Sequence, residues 1–328
     1  MIDRRNLLRG AAALPFASAA FVPATAQEIF PARPVTVVVP YPAGGSVDIV
    51  ARALGDQMSR QLNQSVVVEN RSGSSGAVAA LSVATAEPDG YRVVLGTQQT
   101  HGTNEALLPN VGYRTLDNFA PICTVCAAPH VLVVKRGLPA ANAAELVRLL
   151  KREPGKFNYG STGNGSSSHL TGELFKMRTG VQAQHIPYRG GPPLAQDLAG
   201  GVIDFSFIVV ANIIGQIQSG LVKPLAIASQ SRVAALPDVP TLAEAGLPPI
   251  DADAWFAYFG PAHMPADRMA KLCLSVDYAL QQPTVKQTLA ANGLTTRFRR
   301  IAEMPDFVAS EVRKWAEVVK VSGAKADL

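Results

Sequence analysis

The stretch "PVTVVVPYPAGGSVDIVARALGDQMSRQL", residues 34–62, decides the fold class. It opens on a β-branched run closed by Pro40 and Pro42, the composition of a short buried strand. It ends with Val47, Val50, Ala51, Leu54, Met58 and Leu62 at helical spacing. Between them, residues 43–46 have the small side chains of a tight turn. Strand, turn and helix in that order begin a β-α-β unit. The unit continues through a strand at "SVVVEN" (65–70), a helix at "GAVAALSVATAEP" (76–88) and a strand at "YRVVLGT" (91–97). This order predicts a parallel sheet with right-handed crossovers.

The pattern restarts after residue 130. Strands are expected at 130–135, 157–161, 182–188, 203–210 and 222–229, with helices at 142–153, 166–180, 192–201 and 211–220. A further strand, "AWFAYFGPA" (254–262), precedes a mostly helical end. Its Trp255, Phe256, Tyr258 and Phe259 alternate at strand period, which makes most of them core and leaves one ring to line a cleft. No low-complexity linker separates the halves, so the expected architecture is α/β, in two lobes joined by crossing strands.

The chain has 328 residues, 48% hydrophobic and 17% charged, which describes a packed globular protein. The formal charge of +5 comes from scattered Lys and Arg with no basic block, which argues against nucleic-acid binding. The start "MIDRRNLLRG" is basic, "AAALPFASAAFVP" is apolar, and Ala24-Thr25-Ala26 has the small residues of a cleavage site. Residues 1–26 therefore read as an export signal cleaved after Ala26. Arg4 and Arg5 give it a twin-arginine character, although Asp3 and Leu7 depart from the usual pattern. No other segment reaches the roughly 18 apolar residues a membrane helix needs, so the expected compartment is the periplasm, without stable membrane insertion. Cys123 and Cys126 form a C-x-x-C, but on a strand they fall on opposite faces, beyond disulfide reach. They and Cys273 read as buried structural cysteines, and no metal or cofactor site is expected.

Ligands of parallel α/β sheets bind beyond the carboxyl ends of the strands, so strand-to-helix turns carry the candidates. In the turn after Tyr41, Ala43, Gly44, Gly45 and Ser46 precede a helix whose first N–H groups can face an anion, and Asp48 lies in its first turn. "RSGSSG" (71–76) reads as an ordinary turn and cap. "LGTQQTHGTNEAL" (95–107) offers Thr97, Gln98, Gln99, Thr100, His101 and Thr103, of which Thr100 and His101 are the named candidates. "YGSTGNGSSSHLTGELF" (159–175) concentrates Ser161, Thr162, Asn164, Gly165, Ser166, Ser167 and Ser168 before a helix. It has no G-x-S-x-G elbow and no P-loop lysine, and Ser168 and His169 are adjacent, pointing about 100° apart on a helix. It therefore reads as an anion-binding turn. Arg189 could neutralise a carboxylate, and Asp204 ends the same segment.

These loops in this order resemble the periplasmic receptors of the tripartite tricarboxylate transporter family, the Bug receptors. The resemblance spans essentially the whole chain after residue 26. It rests on residues 33–52, "VVVENRSGSSG" (66–76), "EPDGYRVVLG" (87–96), residues 159–175, "IPYRGGPPLAQDLAGGVID" (186–204) and "ALPDVPTLAEAGLP" (235–248). It implies a two-lobed type II periplasmic binding fold, a Venus flytrap, with lobe 1 at 27–126 plus 254–328 and lobe 2 at 127–253. It also implies a non-enzymatic, monomeric receptor that holds a small carboxylate and passes it to integral-membrane transporter subunits. The chain departs from the family at Arg189, where many relatives carry Lys. It departs again at "FIVVANIIGQI" (207–217), where Ala211 and Asn212 make one wall less polar. An extracytoplasmic sensor docking on a signalling kinase, or a secreted serine hydrolase using Ser166–Ser168 and His169, are the alternatives.

Overall fold

The computed structural model describes residues 29–325, so the export-signal reading of residues 1–26 lies outside the described residues. The first β-α-β series forms as its periodicity predicts. It runs β1 (Val35–Val39), α1 (Ser46–Leu62), β2 (Val66–Asn70), α2 (Ala77–Ala84) and β3 (Arg92–Thr97). Short helices α3 (Asn104–Leu107) and α4 (Thr115–Asn118) lead to the long strand β4 (Phe119–Ala128). One residue, Pro129, separates β4 from β5 (His130–Lys135), where a second sheet begins.

That sheet adds α5 (Ala143–Arg152), β6 (Asn158–Ser161), α6 (Ser167–Thr179), β7 (Gln184–Pro187), α7 (Gly191–Ala199), β8 (Phe205–Val209), α8 (Ile214–Gln218) and β9 (Val222–Ile227). The chain then returns through β10 (Ala254–Pro261), α9 (Ala266–Gln281), α10 (Pro283–Ala291), β11 (Thr295–Thr296) and α11 (Met304–Ser322). The six-stranded sheet has order β11-β4-β10-β3-β1-β2 and the five-stranded sheet β7-β6-β8-β5-β9. The two-lobed α/β expectation holds. So does the parallel pairing expected of the first three strands, while the strands entering from the crossing run the other way. Strands β1, β2 and β3 run parallel, as do β6, β7 and β8, but β10 is antiparallel to β3 and β4. Strand β5 likewise runs antiparallel to β8 and β9. The strand by which the chain enters each sheet from the other, β10 in the six-stranded sheet and β5 in the five-stranded one, runs against its neighbours.

Strand β4 also corrects the cysteine reading. A register shift between Phe256 and Ala257 of β10 pairs Cys126 with Phe256 and Cys123 with Tyr258. The shift adds one residue to β4 between them, so both cysteines face the same core cluster instead of opposite faces. Cys123 hydrogen-bonds the Cys273 thiol of α9, all three cysteines are free and buried, and burial raises Cys123 and Cys126 above the ordinary thiol range. They are therefore thiols rather than thiolates. The alternating aromatics of β10 divide as expected: Trp255 and Phe259 join one cluster, Phe256 and Tyr258 the other.

Helix α11 closes the molecule by packing on β4, on residues 99–103 and on α6 of the second sheet. At its centre the buried Glu311 accepts hydrogen bonds from the indole N–H of Trp255 (2.8 Å) and of the fully buried Trp315 (2.9 Å), and pairs with Lys314. Glu311→Ala leaves two buried indole donors without a partner. It should lower the unfolding free energy by roughly 2–5 kcal/mol, measured by urea denaturation with an unchanged m-value.

Candidate functional site

The turn after β1 is built by Asp48. Burial alone would raise its carboxyl, but bonds from Arg52, the Gly44 N–H and Asn70 outweigh that and hold it below the usual carboxylate range. The Gly44 N–H donates at 2.9 Å, Arg52 Nε at 3.1 Å and Asn70 Nδ2 at 2.9 Å. Asn70 also donates to the Tyr41 carbonyl. Gly44 sits at φ +83°, which a side chain would strain, and Gly45 is the N-cap of α1. Because Gly45 has no side chain, nothing from the cap position bonds the first-turn N–H groups, which meet the cleft with the positive end of the helix dipole.

Those groups border a cavity of about 310 Å³ between the sheets. Tyr41, Gly45, Ser46, Thr97, Gln98 and Gln99, at the carboxyl ends of β1 and β3, line it. The Tyr41 hydroxyl hydrogen-bonds Thr97 (3.0 Å) and donates to Gln99 Oε1 (3.2 Å). Burial pushes that phenol up to about 12, so it stays protonated. Gln98 is 2% exposed and its Nε2 has no hydrogen-bond partner. Its apolar lining comes from Ala128, Val209, Ala211, Ala254, Leu294 and Phe256, the last paired across the strands with Thr97. Ser167, Asn212 and Asn292 complete the polar lining, and among the described residues no side chain lining the cavity is charged. At the mouth the two sheets nearly touch: a methyl group on Gly293 (φ +63°) would come within 2.6 Å of Ala211 Cβ.

The predicted residues are thus dispersed. Tyr41, Gly45, Ser46 and Ser167 line the cavity, whereas Ala43 and Gly44 lie in the exposed turn beside it and Asp48 is held within that turn. Thr100 and His101 belong to a π-helical turn, Gln99–Thr103, that winds away from the cleft. His101 stacks on Phe259 at 3.9 Å, and burial lowers its pKa to about 3, so it is neutral. Thr100 hydrogen-bonds Thr97 N and the His101 ring.

The serine-rich turn bonds many of its groups to one another. Ser166 Oγ caps α6 by accepting from His169 N, Ser168 Oγ accepts from Thr162 N, and His169 Nδ1 accepts from Gly165 N. Ser161 Oγ hydrogen-bonds His185, whose ring stacks on His169 at 3.7 Å. Asn164 borders a different hollow, with Glu173 and Lys176. Arg189 is exposed, and Asp204 pairs with Lys135 at 2.6 Å while accepting from Asn158 N, both outside the cavity lining.

Sequence reasoning did not single out Asn292, Leu294 or Ala128, and it chose Thr100 and His101 over Thr97–Gln99. The strand-end rule favours the latter, because β3 stops at Thr97. Asn292 and Leu294 follow α10 and reach the cavity only through the return of the chain.

A second cavity, of about 370 Å³, lies beside the crossing segment and is lined by Asp251, Asp253, Arg297, Glu311 and Lys314 among others. Asp253 accepts from Ser229 Oγ at 2.8 Å and faces Arg297 at 3.7 Å, while its Oδ1 has no partner. Desolvation, and then the Asp251 charge, push its carboxyl up to about 6, against weaker opposition from Ser229, Arg297 and Lys314. The folded state keeps this proton over a range in which an unfolded Asp, near 3.8, has lost it. Its contribution therefore destabilises as pH rises from about 4 to about 6, on the order of 3 kcal/mol. Asp253→Asn should remove that slope. The difference in unfolding free energy between variant and parent, measured from pH 4 to 7, should grow in the variant's favour and level off above about pH 6.

Known proteins match this chain over most of its length. The family model described as "Tripartite tricarboxylate transporter family receptor" matches residues 50–324. Protein BugT of Bordetella pertussis is 34% identical over 310 residues, covering 94% of this chain and 95% of that protein. The solved structure of Rpa4515 from R. palustris, with adipate, superposes with a TM-score of 0.73 at 33% identity, covering 91% of this chain and all of that one. MatC from Rhodopseudomonas palustris, with bound malate, gives 0.69 at 33% identity over 88% of this chain and all of that one.

Proposed function

The chain belongs to the tripartite tricarboxylate transporter receptor family, and on that premise we propose that it captures a small carboxylate in the cavity between its sheets and delivers it to membrane transporter subunits. The observation that carries this reading is one juxtaposition. The uncapped N-terminus of α1 and the buried, unpartnered Gln98 Nε2 border the same cavity. A carboxylate there accepts from the first-turn N–H groups and from the Gln98 amide. Hydrogen bonds to an ionised acceptor are stronger than neutral ones and offset its desolvation. The Tyr41 phenol and Thr97 hydroxyl stay neutral and position Gln99 beside the ligand.

The carboxylate class also accords with the family, since adipate and malate occupy two of the solved relatives. Among the described residues no helix is long and apolar enough to cross a membrane. Export through residues 1–26, action as a monomer in the periplasm, and a division into lobes at residues 127 and 254 complete the proposal. Delivery would follow closure of the two lobes around the ligand, in contacts made only when it is bound.

A thermal-shift screen over small carboxylates should find at least one that raises the melting temperature. Ser46→Pro then isolates the helix end. Proline is tolerated at the first helical position, and Gly45 at φ −75°, ψ 165° suits a following proline, so the fold survives while one N–H is deleted. Calorimetry should show about 10- to 100-fold weaker binding, the equivalent of one hydrogen bond to a charged group. Unchanged affinity would remove α1 from the site.

A further inference from the structure

We propose that Cys123 and Cys273 form a cross-linking site, which a disulfide oxidant closes to staple helix α9 onto strand β4 while Cys126 stays a thiol. Helix α9 packs directly on β4. Cys123 lies in β4 opposite Tyr258, and Cys273 lies midway along α9. Both belong to one core cluster, and their thiols meet as hydrogen-bond donor and acceptor, so joining them asks little movement of the backbone. Cys126, one pair along the strand, sits opposite Phe256 and Thr296 instead.

The two sulfurs are unequal. Cys123 is fully buried and stays protonated, whereas Cys273 keeps 6% exposure. The bond from the Cys123 thiol, helped by one from the Ile301 N–H, outweighs burial and lowers the pKa of Cys273. Cys273 is therefore the attacking group. Having given its proton to water, it attacks one sulfur of a disulfide such as oxidised glutathione. A mixed disulfide forms and one glutathione thiolate leaves. Cys123 passes its proton to that thiolate and attacks Cys273 Sγ, which closes the Cys123–Cys273 bond and expels the second thiolate to be protonated by water. The two protein thiols lose two electrons, and the oxidant's disulfide bond becomes two thiols. The oxidant reaches the pair most readily before α9 has docked, so closure belongs to folding in an oxidising compartment such as the periplasm proposed above.

The closed loop runs from residue 123 to residue 273 and contains every strand of the five-stranded sheet. Tying so long a loop removes much of the freedom of the unfolded chain. Both anchors lie with the six-stranded sheet, so the link stabilises without crossing between the sheets.

The test refolds the full chain after residue 26 in a mixture of oxidised and reduced glutathione, and in parallel in dithiothreitol. Alkylation in guanidinium followed by mass spectrometry should find one alkylated cysteine, Cys126, in the first sample and three in the second. A peptide map should show Cys123 joined to Cys273, and the oxidised form should melt roughly 5–10 °C higher. Cys126→Ser should keep both the link and the shift, whereas Cys273→Ser should lose both. Three alkylated cysteines in the glutathione sample, or a link through Cys126, would overturn the assignment. A Cys123–Cys273 link that leaves the melting temperature unmoved would overturn the staple.

Discussion

The cleft depends on how one buried carboxylate is held. Asp48 accepts from the backbone of its own turn, from Arg52 one helical turn along, and from Asn70 at the end of the neighbouring strand. A turn carrying two glycines would otherwise have many conformations to lose on folding. Fixing it from three directions fixes where α1 begins. An acid in the first helical turn commonly complements the helix dipole itself. Here Asp48 is engaged with the turn and Arg52, and the first-turn N–H groups remain directed at the cavity.

The two glycine- and serine-rich turns therefore behave differently although they look alike in sequence. "PAGGSVD" has a cap residue without a side chain and ends in an open helix terminus. "GSTGNGSSSH" has Ser166 at the cap and folds its donors back on its own acceptors, with His169 and His185 stacked behind it. One residue type at one position, glycine or serine at the cap, decides whether the third N–H of the helix stays open or is bonded by its own cap.

Much of the fold was legible because its signals are local. The β-branched run 35–39 and the helical stripe from Val47 to Leu62 needed no tertiary knowledge. The reversed direction of β5 and β10, and the bulge that turns Cys123 and Cys126 to one side, arise from pairing between distant segments and leave no periodic trace. The site was half legible for the same reason. Gly45 and Ser46 sit where a strand-to-helix turn must put them. The polar residues after β3 were ambiguous because the chain enters a π-helical turn at once, carrying His101 onto Phe259 and leaving Gln98 at the cavity. Asn292 and Leu294 carry no composition that marks them.

The near-contact of Gly293 with Ala211 bears on the traffic of ligand in and out. These residues come from opposite sheets and meet at the mouth with only a methyl group and a bare backbone. Such a seam is held by dispersion, worth about 0.1–0.2 kcal/mol for each atom pair, so parting it requires little work. It also seals well, because no side chain holds the surfaces apart. The polar links across the crossing lie elsewhere, where Arg297 donates to Ser229 and Ser231.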